Sequence, residues 1–185
     1  MLLFIDACVR DGSRTQRLAE HLLQKLGEPV RTLRLADETF SATDQAFLAL
    51  RDELTAKGAF DHPIFAYARQ FAAADTVVIA APFWDLSFPA VLKAYLEQIN
   101  VVGVTFRYTP EGIPEGLCRA KRLFYVTTVG GAYFPEQFGF GYVEALAKNF
   151  YGLPDVRLFK ATGLDMEGAN VEEILRACEE EITGQ

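Results

Sequence analysis

Thr76-Val77-Val78-Ile79-Ala80-Ala81, followed by Pro82-Phe83-Trp84-Asp85-Leu86-Ser87-Phe88-Pro89, is the stretch on which the fold turns. The first six residues form a short, continuous apolar run that ends in a turn signal. Such a run reads as a strand buried on both faces. Pro82–Phe88 reads as a loop. Pro89 then opens a helix, as proline does in a first turn. Val91, Leu92, Tyr95, Leu96 and Ile99 make its apolar face.

Outward from this unit the same alternation repeats. Leu2–Ala7 is a buried strand, and Arg14–Leu26 is a helix with Leu18, Leu22, Leu23 and Leu26 on one side and Gly27 as its stop. Val30–Leu35 is half exposed and suits a sheet edge. A long connection, 36–75, carries helix signals at Phe47, Leu48 and Leu54, then at Ile64, Phe65, Ala68, Phe71 and Ala72. Downstream, Gly103–Gly116 reads as an excursion or hairpin. Lys121–Thr128 and Val156–Ala161 are strands, Tyr142–Tyr151 is helical with Val143, Leu146, Ala147 and Phe150 inward, and Val171, Ile174, Leu175, Cys178 and Ile182 line a final helix. Five strands alternating with helices predict an α/β domain with a parallel sheet covered on both faces. The strand order 2-1-3-4-5 is a common solution, with ligand bound where the order reverses at strands 1 and 3.

Bulk properties fit one domain over residues 1–185, half of them hydrophobic. No apolar run reaches about 18 residues, so no membrane span is expected. The N-terminus lacks a signal-peptide pattern, which leaves a cytoplasmic protein as the default. A net charge of −7 argues against a general nucleic-acid partner. Cys8, Cys118 and Cys178 are odd in number and far apart, which predicts neither a disulfide framework nor a metal site. His21 fits a helix surface and His62 a helix start; neither is assigned a role.

The crevice lies beyond the carboxyl ends of the strands, and that selects three loops. In residues 8–16, Ser13 and Thr15 offer hydroxyls where the first helix begins, and its unpaired N–H groups and dipole favour a phosphate, with charge from Arg10 or Arg14. Ser13 serves equally as a plain helix cap. Neither a Rossmann glycine fingerprint nor a P-loop is written here. In 82–88, Phe83, Trp84 and Phe88 can wall a flat ring while backbone N–H and C=O groups meet its polar edge; alternatively Phe83 and Phe88 are core and Ser87 caps the next helix, and Phe88 is expected in the core. Trp84 suits a ligand or a subunit contact, and Asp85 a helix cap or a ring edge. In Thr127-Thr128-Val129-Gly130-Gly131-Ala132-Tyr133, the glycines allow a bend or close approach to a ligand, and Tyr133 borders the substrate space or is a surface aromatic.

Gly103-Val-Thr-Phe-Arg-Tyr-Thr109, with Glu111-Gly112 and Gly116-Leu117, resembles the flavodoxin-fold NAD(P)H:quinone oxidoreductases, especially the FMN-dependent NADH-azoreductases. Thr127–Gly131 is similar to that family's Gly-Gly loop, and Ser13-Arg14-Thr15 to its phosphate loop. The resemblance implies a flavodoxin-like three-layer sandwich, FMN, NADH or NADPH as electron donor, a quinone or azo acceptor, and a homodimer. It places Ser13, Arg14 and Thr15 at the phosphate, Pro82, Phe83, Trp84, Asp85 and Leu86 around the isoalloxazine, and Thr127, Thr128, Val129, Gly130 and Gly131 at its other edge. Phe106 and Tyr108 fall near the dimer interface, and Tyr108 and Tyr133 are the substrate-contact candidates. The first loop is shorter than in typical azoreductases, and Asp85 stands where many members carry Asn. A flavodoxin-type electron carrier and a non-catalytic binding protein are the alternative readings. A carrier has no need of the 103–116 excursion.

Overall fold

The strands expected around Thr76–Ala81 form one sheet in the computed structural model, which describes residues 1–184. β1 (Leu2–Asp6), β2 (Val30–Arg34), β3 (Thr76–Ala80), β6 (Arg122–Thr128) and β7 (Asp155–Ala161) run parallel in the order β2-β1-β3-β6-β7. Counted along the sheet's own strands this is 2-1-3-4-5. The higher labels arise because a hairpin, β4 (Phe106–Tyr108) and β5 (Pro114–Gly116), is inserted before β6.

The period of two in each strand sends alternate side chains to opposite layers. Leu3, Ile5, Val77, Ile79, Leu123 and Tyr125 face one core. It is covered by α3 (Ala66–Ala72), α4 (Ala90–Ile99) and α5 (Phe140–Leu146), through Phe71, Leu92, Tyr95, Leu96 and Val143. Leu2, Phe4, Val78, Phe124, Val126 and Phe159 face the other, under α1 (Arg14–Leu26) and α6 (Val171–Thr183). Because β1 and β3 are buried at every position, they read as unbroken apolar runs. The two outer strands behave differently. β2 exposes Val30, Arg31 and Thr32, and β7 exposes Arg157 and Lys160.

The 36–75 connection holds α2 (Gln45–Ala56), none of whose residues is buried, and then α3. Among the described residues no helix is long and apolar enough to cross a membrane. His62 starts a short 3-10 turn, its Nδ1 accepting from the Ile64 N–H at 3.3 Å.

One helix departs from expectation. The Tyr142–Tyr151 segment is α-helical only from Phe140 to Leu146 and continues as a π-helical turn, Ala147–Tyr151, closed by Gly152 at φ 73°. The wider turn serves the hairpin. Phe150 stacks on Phe106 with ring centroids 4.6 Å apart, and the Tyr151 hydroxyl donates to Asn100 Oδ1 at 2.7 Å. Gly116 of β5 lies so close to the Tyr151–Gly152 backbone that a Cβ there falls well inside 3.0 Å of it. Backbone cannot swing aside as a side chain can. Gly116→Ala is therefore expected to lower stability by about 1–3 kcal/mol, the usual overpacking range, read as a reduced urea midpoint.

All three cysteines are buried, at 1% (Cys8), 6% (Cys118) and 4% (Cys178) exposure. Burial pushes each thiol up to about 12, so the reactive thiolate is scarce at neutral pH. A maleimide probe is expected to label none of them in the native protein and all three in urea. Rapid native labelling of any one would contradict this packing.

Candidate functional site

The site is built where α1 starts. Asp6, at the end of β1, is buried, and its Oδ1 accepts the Cys8 N–H at 2.9 Å, which turns the chain into the first loop. Gly12 adopts φ 67°, a left-handed conformation that glycine takes without strain. Ser13 is the N-cap of α1: its Oγ accepts the Gln16 N–H at 3.4 Å and its carbonyl accepts the Arg17 N–H at 3.0 Å. The first turn of a helix leaves its leading N–H groups without intrahelical acceptors, so that of Arg14, which lines the cavity, stays available. The Ser13 hydroxyl does cap, over a long bond, and also lines a cavity of about 300 Å³ beside it.

Thr15 is placed otherwise than Ser13. It is fully buried, and its hydroxyl shares a 2.6 Å hydrogen bond with that of Thr128, which ties α1 to the end of β6. Thr15 is not among the residues lining the cavity, whereas Ser13, Arg14, Pro82, Phe83, Trp84, Thr128, Val129 and Gly130 are. Thr127 is buried, and its hydroxyl meets no protein partner among the described residues.

The second loop leaves β3 along β6, with the Phe83 N–H donating to the Thr128 carbonyl at 3.1 Å. Trp84 and Ser87 then exchange both backbone hydrogen bonds, at 3.0 and 2.8 Å, around a two-residue turn. Its central residues, Asp85 and Leu86, have φ 49° and 66°. Two positive φ values mark the type I′ hairpin turn, normally built from Asn and Gly. A leucine there is strained by about 1–2 kcal/mol. Asp85 is thus held at a turn tip and does not cap α4; nor does Ser87, whose Oγ donates to the Phe138 carbonyl at 2.9 Å. Phe83 meets Phe134 edge-on at 4.8 Å, while Phe88 is only partly buried, against Tyr142.

The third loop is zipped to the segment after β7. Gly163 N–H donates to Gly131 O at 2.8 Å, Leu164 N–H to Val129 O at 3.2 Å, and Asp165 N–H to Gly130 O at 2.8 Å. These bonds bring Asp165 into the cavity wall, where its Oδ1 accepts from Arg14 Nη1 at 2.8 Å. Sequence reasoning missed Asp165, along with Val9, Asp11, Gly12 and Leu164. The signal was available, since the loop after β7 also leaves the carboxyl edge of the sheet. A Cβ at Gly130 falls inside 3.0 Å of the Asp165 carboxylate, so any side chain there must displace that carboxylate. Gly131 has no such neighbour. Tyr133 is 71% exposed and Tyr108 52% exposed, and neither lines the cavity. Among the described residues no group of three or more His, Cys, Asp or Glu is placed to hold a metal ion.

A five-stranded parallel sheet in this order, with a helix N-terminus, an aromatic loop and a Gly-Gly loop meeting at the β1/β3 switch, defines a flavodoxin-like domain. The family described as "Flavodoxin-like fold" matches residues 1–184. An FMN-dependent NADH:quinone oxidoreductase 2 of Clostridium acetobutylicum is 39% identical over 174 residues, 89% of this chain and 86% of the relative. An FMN-dependent NADH:quinone oxidoreductase of Clostridium beijerinckii is 44% identical over 117 residues, covering 62% of this chain and 58% of the relative. The solved azoreductase from Bacillus anthracis superposes with a TM-score of 0.84 at 28% identity, covering 99% of this chain and 96% of that one. The chain belongs to the flavodoxin-like family, among the FMN-dependent NADH:quinone oxidoreductases.

Proposed function

We infer that the protein is an FMN-dependent oxidoreductase that takes electrons from NADH and delivers them to a quinone or a similarly flat acceptor. The observation that carries this reading is the cavity where the α1 N-terminus meets the Trp84 loop. The donors fit FMN: unpaired N–H groups and a helix dipole for the phosphate, Arg14 beside them, and aromatic walls for a flat ring. The inner cavity joins an outer one of about 470 Å³ through shared residues, giving space of the size that cofactor and substrate sites occupy.

FMN, held by these residues, would supply the redox chemistry between nicotinamide and acceptor. The chain's own part is placement. Ser13 and the Arg14 N–H would hold the phosphate, with the Thr15–Thr128 bond fixing the turn from behind. The Trp84–Ser87 turn places Asp85 in the wall of the outer cavity, where it would meet the ring edge. Gly130 and Gly131 let the backbone approach from the other side.

The hairpin bears on assembly. It and its flanks expose Val102, Tyr108, Ile113 and Leu117, an apolar group suited to a homodimer contact in which Tyr108 reaches the partner's site. Sedimentation of the purified protein as a stable dimer supports this; a monomer with an accumulating one-electron flavin state favours the carrier reading. The decisive experiment for the main reading is an absorbance spectrum followed by anaerobic addition of NADH. Flavin bands that bleach with NADH and return with quinone are expected. Protein that binds no FMN overturns it.

A further inference from the structure

The charges around the crevice pair off, with one cation left over. Arg14 meets Asp165 at 2.8 Å, and Arg34 meets Asp11 at 3.5 Å. Arg10 has no carboxylate partner among the described residues. Its guanidinium carbon instead lies 5.5 Å from the centroid of the Trp84 ring. Arg10 and Trp84 both line the inner cavity and the outer one, so this stacked pair stands at the boundary between them.

A contact with a ring engages no carboxylate, so the Arg10 N–H groups keep a fork matched to a carboxylate, sulfonate or phosphate. The stack also pre-orders the long side chain, which lowers the entropy lost when an anion docks. The outer cavity is polarised as well. Arg10 stands at one part of its wall, while Asp85, exposed at the turn tip and without a cation partner, supplies the opposite charge. Asp165 lines it too, but its charge is met by Arg14.

We propose that Arg10 is a specificity-determining residue that binds an acidic group on the flat molecule entering the outer cavity, and that it does not serve the cofactor's phosphate. The phosphate has its own donors at the α1 N-terminus and in Arg14. The entering molecule seats its acidic group at Arg10 and turns its uncharged ring toward the turn that carries Asp85. An acidic substituent on the acceptor and the diphosphate of the nicotinamide donor are the two sources of such a group. The proposal rests on the functional reading above, since it assigns the outer cavity to a redox substrate.

The test uses naphthoquinone and naphthoquinone sulfonate as a matched acceptor pair, with NADH as donor. In the native enzyme kcat/KM is expected to favour the sulfonate. In Arg10→Gln that preference falls by about fivefold, the scale of a partly exposed ion pair. Arg10→Lys keeps the charge and recovers at least half of the loss on a logarithmic scale. A KM for NADH that rises in Arg10→Gln identifies the donor's diphosphate as a second source of the group. Trp84 is the chain's single tryptophan, so quenching of its fluorescence by each quinone in FMN-free protein measures the same preference without turnover. An unchanged ratio in Arg10→Gln overturns the proposal. So does a weakened FMN affinity with an unchanged ratio, which returns Arg10 to the cofactor, and so does Arg10→Lys behaving as Arg10→Gln. Failure to bind FMN sinks the functional reading, while the quenching titration still judges Arg10.

Discussion

Ser13→Asp is expected to fold as well as the native protein and to lose about a hundredfold in FMN affinity. Aspartate equals serine as an N-cap, and a negative charge at the start of a helix is itself favourable. The cap at Ser13 is therefore preserved, and the Gln16 N–H keeps an acceptor. What changes is the field in the cavity that Ser13 lines. A carboxylate a few ångströms from a phosphate costs about 3 kcal/mol at the effective dielectric of a protein surface, which is about two decades in Kd. Riboflavin, which has the same ring but no phosphate, is the control. Titration by flavin fluorescence should show FMN weakened and riboflavin little altered. If the two weaken equally, Ser13 is a cap alone and the phosphate lies elsewhere.

Gly130→Val should weaken flavin binding while Gly131→Ala is tolerated, although the two glycines are neighbours. A side chain at Gly130 meets the Asp165 carboxylate inside 3.0 Å, whereas the nearest atom to a Cβ at Gly131 is the Tyr133 nitrogen at 3.9 Å. The Asp165 N–H stays bonded to the Gly130 carbonyl, so the side chain alone has to turn away. Valine therefore displaces the carboxylate from its contact with Arg14 in the wall of the cavity that both line. Loss of at least about tenfold in FMN affinity is expected, with about 1–3 kcal/mol of overpacking cost in stability. Equal affinities in the two variants would contradict the placement of Asp165.

The sheet was legible because its signals are local. Thr76–Ala80 and Leu2–Asp6 are apolar at nearly every position, and only a central parallel strand needs that. The α1 helix showed both its apolar side and its glycine stop. Other features were hidden for physical reasons. The Trp84–Ser87 turn takes a type I′ shape without the Asn or Gly that announces one, since its surroundings hold Asp85 and Leu86 where their own preference does not. The π-helical turn at Ala147–Tyr151 answers to the hairpin packed on it, so its cause lies outside its own sequence. Asp165 reaches Arg14 across 151 residues of chain, and no spacing rule spans that. For Thr15 the residue type suggested a phosphate hydroxyl, while its bond to the Thr128 hydroxyl joins residues 113 apart and has no local signal.

The outer strands of the sheet carry a last consequence. An open sheet edge is a template on which a foreign strand can add, and proteins that aggregate often do so there. Arg31 and Arg34 lie along β2, and Arg157 and Lys160 along β7. An incoming strand would have to strip water from these cations on either side, so the sheet resists growing into a fibril from both margins. Self-association by strand addition is thereby disfavoured at both margins.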